Sequence, residues 1–187
     1  MSEDTSFSER IRAKFPEGLT GIFAIGGTRT GYILEHNRQQ TEPGIIPIFD
    51  YADDILDKYF NLIKMFFKFG GQNIIITILA YDRFDKRGED YSEFISKATL
   101  VLINSKSVQF YSDYDIDPYF VGIDTLLQLP TTSSAYELGM KLSAFHQSWQ
   151  YKAGRHKLIW EVAAIPLFSF WTAQSNMSAH EKKQIAA

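Results

Sequence analysis

The sequence predicts an α/β fold with an open, mostly parallel sheet flanked by helices. Short apolar runs rich in β-branched residues alternate along the chain with stretches whose apolar residues recur at helical spacing. The run at residues 73–79 is apolar at nearly every position, which is typical of a strand covered on both faces. Binding loops in such a sheet follow the carboxyl ends of the strands.

The composition narrows the class of function. The 187 residues are 45% hydrophobic, which is enough for a core, and the net charge of −3 lacks the positive excess of nucleic-acid-binding proteins. The absence of cysteine excludes disulfides and thiolate sites, and the four histidines are too scattered for a zinc cluster or a catalytic triad. Apolar runs stay far below the about 18 residues of a membrane span. We therefore expect a soluble, cytoplasmic protein.

The first part of the chain is polar except for one strand. Residues 1–18 carry mixed charge and little periodicity, so we interpret them as a mobile N-terminal arm that ends in a turn. An apolar run predicts the first strand over 19–25, and residues 19–187 are expected to form a single α/β domain. The polar segment 26–47, rich in glycine and proline, predicts a long functional loop.

The remaining elements alternate between helix and strand. Helical spacing predicts a long helix over 50–69, which Gly70 and Gly71 end. A second strand over 73–79, a charged loop over 81–90 and a helix from 91 to about 103 follow. After a short mixed stretch at 108–111 we expect a third strand over 119–123. Capping residues at 131–134 begin another helix, and a fourth strand covers 157–163.

A glycine-rich segment directly after the first strand is a candidate anion site. Gly26 and Gly27 allow a tight turn with exposed backbone N–H groups, Thr28 offers a hydroxyl, and Arg29 offers a planar fork suited to phosphate oxygens. The segment matches neither GxGxxG nor a Walker loop. An ordinary glycine-rich turn with a surface arginine fits the same pattern.

Two charged segments are further candidates. Asp53 and Asp54 belong to a DDxxD motif, whose carboxylates could bind Mg²⁺. We favour the alternative that these aspartates lie on the solvated side of an amphipathic helix, in its first turns. Asp82, Arg83 and Arg87 lie in the loop after the second strand, where they would form a polar rim of a binding site or a solvated, salt-linked loop.

Several blocks, in order and at nearly equal spacing, resemble the cis-prenyltransferase superfamily, that of undecaprenyl diphosphate synthase, and in more detail its terpenoid branch, the tuberculosinyl adenosine transferase group. The resemblance covers roughly residues 20–165. The blocks that carry it are Ile22-Phe23, Gly27-Thr28-Arg29, 62–67 with Gly70, 84–91, and Phe120-Val121-Gly122 with Leu129-Pro130.

The resemblance implies a prenyl-diphosphate substrate, with its diphosphate held by Gly26, Gly27, Thr28 and Arg29. It also implies Mg²⁺, an active-site tyrosine at Tyr51, and an apolar tunnel to which we assign Phe66 and Phe67. Such a tunnel would use part of an aromatic surplus of 15 Phe, 10 Tyr and 3 Trp.

The sequence departs from the family pattern at several positions. Gly26 stands where the family loop Asp-Gly-x-x-Arg has its aspartate, while Thr30 and Gly31 replace an arginine and a tryptophan of the terpenoid branch. The family's closing segment has no recognisable counterpart after Pro166, so we expect a shortened C-terminal part.

Three functions follow from these observations. The first is a prenyltransferase or terpene synthase that ionises an allylic diphosphate, with Asp53 and Asp54 as replacement metal ligands. The second is a catalytically silent subunit of an active homologue, and the third is a prenyl-lipid-binding protein without catalysis. The resemblance further implies a homodimer or a heteromer with a related chain, and it is compatible with transient membrane contact.

Overall fold

The computed structural model describes residues 3–16, 18–26, 28–36, 47–80 and 88–163, with side chains from Phe7 onward. The strands are β1 (Leu19–Ala24), β2 (Gly71–Thr77), β3 (Ile116–Val121) and β4 (His156–Glu161). The helices are α1 (Glu3–Lys14), α2 (Thr28–His36), α3 (Ile48–Lys68), α4 (Glu89–Thr99), α5 (Ser105–Asp113), α6 (Ile123–Leu126) and α7 (Ser134–Ser148). A 3₁₀ helix at Leu100–Ile103 joins α4 to α5.

The four strands form one open, fully parallel sheet in the order β1-β2-β4-β3. This confirms the predicted α/β class. Because the strands are parallel, the loops after β1 and β2 leave the sheet at the same edge. Pro118 lies in β3, which is an edge strand and therefore tolerates a residue without a backbone N–H.

The main hydrophobic core lies between one face of the sheet and the helices. On this face Ile74, Ile76, Leu158 and Trp160 are completely buried. The Tyr59 ring of α3 meets the Trp160 ring edge-on, and Phe60 stacks on Phe110 of α5. No helix in the described residues is long and apolar enough to cross a membrane.

Helix α3 begins and ends close to the predicted positions because its periodicity and its stop signal agree. Its buried residues follow the predicted stripe: Ala52, Leu56, Tyr59, Phe60, Ile63 and Phe67. Gly70 has a φ of +94°, which glycine adopts without strain, and its N–H donates to the Phe67 carbonyl. The strand β2 then starts at once.

Three helices differ from the sequence-based interpretation. Residues 3–14 of the segment interpreted as an arm form α1, in which Phe7 packs edge-on against Phe69. Residues 28–36 of the predicted loop form α2, where Tyr32 is buried. The mixed stretch at 108–111 belongs to α5, whose cap Asn104 accepts a hydrogen bond from the Ser107 N–H. The apolar residues of these helices show only weak helical periodicity, so the sequence did not predict them. Packing or capping stabilises them.

Candidate functional site

A cavity of about 520 Å³ lies at the carboxyl ends of β1 and β2, and we call it the main cavity. The first residues of α2 and the first half of α3 form part of its wall. Helix α4 and the 3₁₀ helix that follows it form the opposite side. The position agrees with the rule that ligands of open α/β sheets bind beyond the carboxyl ends of the strands.

The polar residues of the main cavity come from the end of β1 and from two helices. Gly26, Thr28 and Arg29 follow β1, and Tyr51 lies in the first turn of α3. The Thr28 hydroxyl and the Tyr51 hydroxyl are hydrogen-bonded at 2.9 Å. Among the described residues that line this cavity, Arg29 is the only charged side chain, and no carboxylate lines it. The positive charge of Arg29 favours binding of an anion.

The deeper wall of the main cavity is apolar. Leu56 and Leu102 are 1% and 2% exposed, whereas Arg29 is exposed to solvent, so the cavity passes from a charged mouth to a buried interior. The other apolar contributors are Ala52, Ile55, Tyr59, Ile95, Ala98 and Val101. Burial, with a smaller effect of the neighbouring Tyr51, raises the pKa of Tyr59 to about 12. The Tyr59 phenol therefore stays neutral at physiological pH.

Aromatic rings surround Tyr51. Its ring centroid lies 5.4 Å from that of Tyr32 in an edge-on contact and 6.0 Å from that of Phe94. The Arg29 guanidinium lies over the Phe94 ring, 5.8 Å from its centroid. Tyr91 and Phe94 also line the main cavity, so this end presents π-faces that can stabilise a cation.

Asp53 and Asp54, the predicted metal ligands, lie outside the described lining of the main cavity. Asp53 is exposed, and Asp54 pairs with Lys58 at 2.9 Å. The described residues contain no cluster of three His, Cys, Asp or Glu side chains suited to a metal ion. The assignment of Mg²⁺ to these two residues stays a prediction.

Lys58 links the two helices that carry the polar residues. It pairs with Glu35 of α2 and with Asp54 of its own helix, α3. It also lines a second cavity of about 240 Å³, which shares Gly26, Thr28, Ile55 and Tyr59 with the main cavity. These ion pairs join α2, which carries Arg29, to α3.

The structure brings some predicted site residues together and separates others. Tyr51, Gly26, Thr28 and Arg29 meet at the main cavity. Phe66 and Phe67, assigned from sequence to the tunnel, lie outside its lining. Phe66 packs over Gly21 and Gly71, where an added Cβ would lie 2.7 and 2.2 Å from its ring, and Phe67 stacks on His156. Gly27, Asp82, Arg83 and Arg87 fall outside the described residues.

Sequence reasoning missed the contribution of α4 to the cavity. Tyr91, Phe94, Ile95 and Ala98 all line it. Their spacing of three and four residues predicts one helical face, but the pattern does not tell whether that face meets the core or a cavity. Thr77, at the end of β2, is a further lining residue that was not predicted.

Comparison with known proteins gives one informative similarity. The chain is 28% identical over 129 residues to tuberculosinyl adenosine transferase of Mycobacterium tuberculosis. The match covers 68% of this chain but only 40% of the relative, so the chain spans less than half the relative's length. No protein-family model matches. The chain is thus distantly similar to a transferase of the prenyl type, which supports the predicted resemblance in part.

Proposed function

We propose that this chain binds a prenyl diphosphate in the main cavity and acts on it as a prenyltransferase or terpene synthase. The observation that carries the proposal is the polarity of the cavity. A single charged side chain among its described lining residues, the cation Arg29, stands at the exposed mouth, and apolar residues from α3 and α4 form the interior. An amphiphile with an anionic head and a branched hydrocarbon tail matches this arrangement.

The residues around Tyr51 suit an ionisation step. The bond between the allylic carbon and the diphosphate oxygen would break, and its electron pair would leave with the diphosphate. Arg29, the Thr28 hydroxyl and the N–H groups that begin α2 would stabilise that negative charge. The rings of Tyr51, Phe94 and Tyr91 would face the allylic cation. An acceptor would then bond to the cation, or a proton would be lost.

The proposal is tested by incubating the purified chain with geranyl, farnesyl and geranylgeranyl diphosphates in the presence of Mg²⁺. Diphosphate release is measured with and without an acceptor, and the relative's name makes adenosine the first acceptor to try. We expect release with at least one substrate, together with a new prenylated or hydrocarbon product. If no diphosphate is released, either with or without an acceptor, the proposed catalysis is contradicted.

A second candidate is a silent subunit or binding protein, favoured by the lack of a carboxylate among the described lining residues. The family aspartate corresponds to Gly26, where an added Cβ would meet no atom within 4 Å. Gly26→Asp is therefore sterically acceptable. If the chain is silent because this carboxylate is missing, Gly26→Asp should gain Mg²⁺-dependent diphosphate release, whereas Gly31→Asp, at an equally open position, should not.

A further inference from the structure

The second cavity, of about 240 Å³, adjoins the main cavity and is not used by the proposed ionisation step. Gly31, Lys58 and Leu62 line the second cavity only, and its other described lining residues also line the main cavity. Thr28 is one of these shared residues, and its hydroxyl lies 2.9 Å from that of Tyr51. A molecule in the second cavity therefore lies beside the proposed reaction centre.

The hydroxyl of Tyr59, which lines both cavities, is a buried polar group that makes no hydrogen bond to a described residue. Tyr59 is 7% exposed, and its ring packs edge-on against Trp160. The hydroxyl of Tyr111, in contrast, donates to the Leu102 carbonyl and accepts from Trp160 Nε1. Buried tyrosine hydroxyls normally have such partners, so the Tyr59 hydroxyl is available to a ligand.

The charged groups beside the second cavity do not favour an anion. Lys58, the only charged side chain among its described lining residues, pairs with the carboxylates of Glu35 and Asp54. One ammonium group against two carboxylates leaves an excess of negative charge. In the main cavity, the only charged side chain among the described lining residues is the cation Arg29. The second cavity therefore suits a ligand without negative charge.

Most of the second cavity's wall is apolar, and the cavity is small. Ile55, Tyr59 and Leu62 lie at positions i, i+4 and i+7 of α3, which places them on one face of that helix. Gly31 of α2 leaves space, because an added Cβ would meet no atom within 4 Å. The volume lies below the about 300–1,000 Å³ of pockets for drug-sized ligands, so the fitting ligand is compact.

We propose that the second cavity binds the acceptor of the prenyl group, a compact neutral molecule with an apolar body and one hydroxyl or neutral amino group. The inference rests on the proposed function, because it assigns the co-substrate of that reaction. The Tyr59 oxygen accepts a hydrogen bond from the O–H or N–H of the acceptor. A lone pair of the acceptor then stays free to face the main cavity.

The transfer step conserves atoms and charge. The acceptor oxygen or nitrogen forms a bond to the allylic carbon, and the bond from that carbon to the diphosphate oxygen breaks. The electron pair of the broken bond leaves with the diphosphate, which also takes the proton of the acceptor. Arg29 and Thr28 lie on the side of the leaving group, and Tyr59 lies on the side of the acceptor.

A further length of prenyl tail suits the second cavity less well than an acceptor does. Hydrocarbon next to Tyr59 would leave its buried hydroxyl without a partner, which is unfavourable. A second prenyl diphosphate would bring an anion close to the excess negative charge around Lys58.

Three probes with a common benzene ring test the proposal: benzyl alcohol, toluene, which lacks the hydroxyl, and benzyl phosphate, which adds negative charge. Each is titrated into the isotope-labelled chain after the thio analogue of farnesyl diphosphate has filled the main cavity. NMR shifts of the Gly31 and Leu62 amides report binding, because these residues line the second cavity only. We expect benzyl alcohol to shift both amides and to bind more tightly than benzyl phosphate. No shift, or equal or tighter binding of benzyl phosphate, would overturn the proposal.

Tyr59→Phe removes only the hydroxyl. We expect binding of benzyl alcohol to weaken about 3- to 10-fold, because a neutral hydrogen bond is lost, and binding of toluene to stay the same. Tyr114→Phe, at a tyrosine that is 46% exposed, is the matched control. Unchanged binding of benzyl alcohol, or equal losses for the two probes, would contradict the role of Tyr59.

Leu62→Trp fills the second cavity from α3. We expect the dissociation constant of benzyl alcohol to rise about tenfold or more, because the larger side chain occupies the site, and that of the thio analogue to stay the same. Met65→Trp is the matched control, since Met65 is on the same helix, 52% exposed and outside the described lining of both cavities. Gly31→Leu fills the cavity from α2 and replaces Leu62→Trp if that variant does not fold.

The two proposals fail in different ways. If the thio analogue does not bind the natural chain, the proposed function is contradicted, and the same titrations without it still test the second cavity. If the thio analogue binds but the filled variants bind benzyl alcohol as well as the natural chain does, the acceptor site alone is contradicted. In the assay of diphosphate release, the filled variants should raise the KM of the acceptor by the same factor as the dissociation constant.

Discussion

Arg29 is the residue on which the proposed recognition of a diphosphate depends. We expect Arg29→Ala to weaken binding of the thio analogue of farnesyl diphosphate about 10- to 100-fold, because a hydrogen bond to a charged group contributes about 1.5–3 kcal/mol. Calorimetry measures the dissociation constant. Arg10→Ala is the matched control, since the Arg10 guanidinium lies 5.7 Å from the Phe7 ring centroid and that of Arg29 lies 5.8 Å from the Phe94 centroid. Equal affinities of the two variants would exclude Arg29 from the anion site.

Tyr51 offers two groups whose roles substitutions can separate. Tyr51→Phe keeps the ring and loses the hydrogen bond to Thr28, so we expect at most about a fivefold loss in the rate of diphosphate release. Tyr51→Leu also loses the ring, and we expect a loss of tenfold or more, because a desolvated cation–π contact contributes about 2 kcal/mol. Tyr114→Leu, at a 46% exposed tyrosine, is the control. Equal effects of Tyr51→Phe and Tyr51→Leu would assign the role to the hydroxyl.

At the scale of elements, the placement of α2 on α3 decides where Arg29 lies. Lys58→Met removes the ion pairs with Glu35 and Asp54, and we expect amide hydrogen exchange in α2 to rise by up to about fivefold. Lys97→Met, which removes the Glu93 pair within α4 alone, should leave exchange in α2 unchanged. If the two variants give the same exchange in α2, the bridge does not position the helix.

The charge of Lys58 also sets the pH range over which its ion pairs stabilise the folded protein. Its hydrogen bond to Glu35, followed by that to Asp54, raises its pKa above the ordinary 10.5. A raised lysine pKa stabilises the folded state fully at pH values below 10.5, and the contribution is lost as the pH rises through the folded pKa. Measurements near neutral pH therefore report the whole contribution of the bridge.

The same elements show how far the sequence predicts this protein. Helix α3 and strands β2 and β4 were predicted because their apolar patterns are long or strongly β-branched. Helix α2 was not, because Thr28, Thr30 and Gly31 are weak helix formers; in the structure, Tyr32 of this helix is buried and Glu35 pairs with Lys58.

Arg29 and Tyr51, which were singled out from the sequence, meet at the main cavity because of the direction of the chain. Arg29 follows a strand end, and Tyr51 begins the helix that packs beside it. Phe66 lies outside the described lining, since it is 15 residues along α3 from Tyr51, about 22 Å at 1.5 Å per residue. The aromatic residues of α4 need tertiary packing to reach the cavity, and no local pattern encodes that packing.

At the scale of the whole molecule, a buried carboxylate helps to tie the edge strand β3 to the chain segment between α7 and β4, beside a hydrogen bond from the Tyr151 hydroxyl to the Pro118 carbonyl. Asp117 is 2% exposed; it accepts hydrogen bonds from Trp149 Nε1 at 3.0 Å, from the Lys152 N–H at 2.9 Å and from Arg155 at 3.4 Å. These bonds join residues 32 to 38 positions apart in the chain. The carboxylate therefore fixes one end of the sheet relative to the loop that leads into its central strand β4.

Asp117→Ala leaves Trp149 Nε1 and the Lys152 N–H without their acceptor, while Arg155 keeps its ion pair with Asp115 at 2.7 Å. We expect the free energy of unfolding to fall by about 2–4 kcal/mol, measured by urea denaturation, because each buried donor left without a partner costs about 1–3 kcal/mol. Asp113→Ala is the matched control, since that exposed carboxylate accepts only from Gln109 at 2.6 Å among the contacts described and should change stability by about 0.5 kcal/mol or less. A loss no larger than that of the control would mean that water replaces the carboxylate and that packing of Trp149 against Tyr111 and Phe145 holds the segment in place.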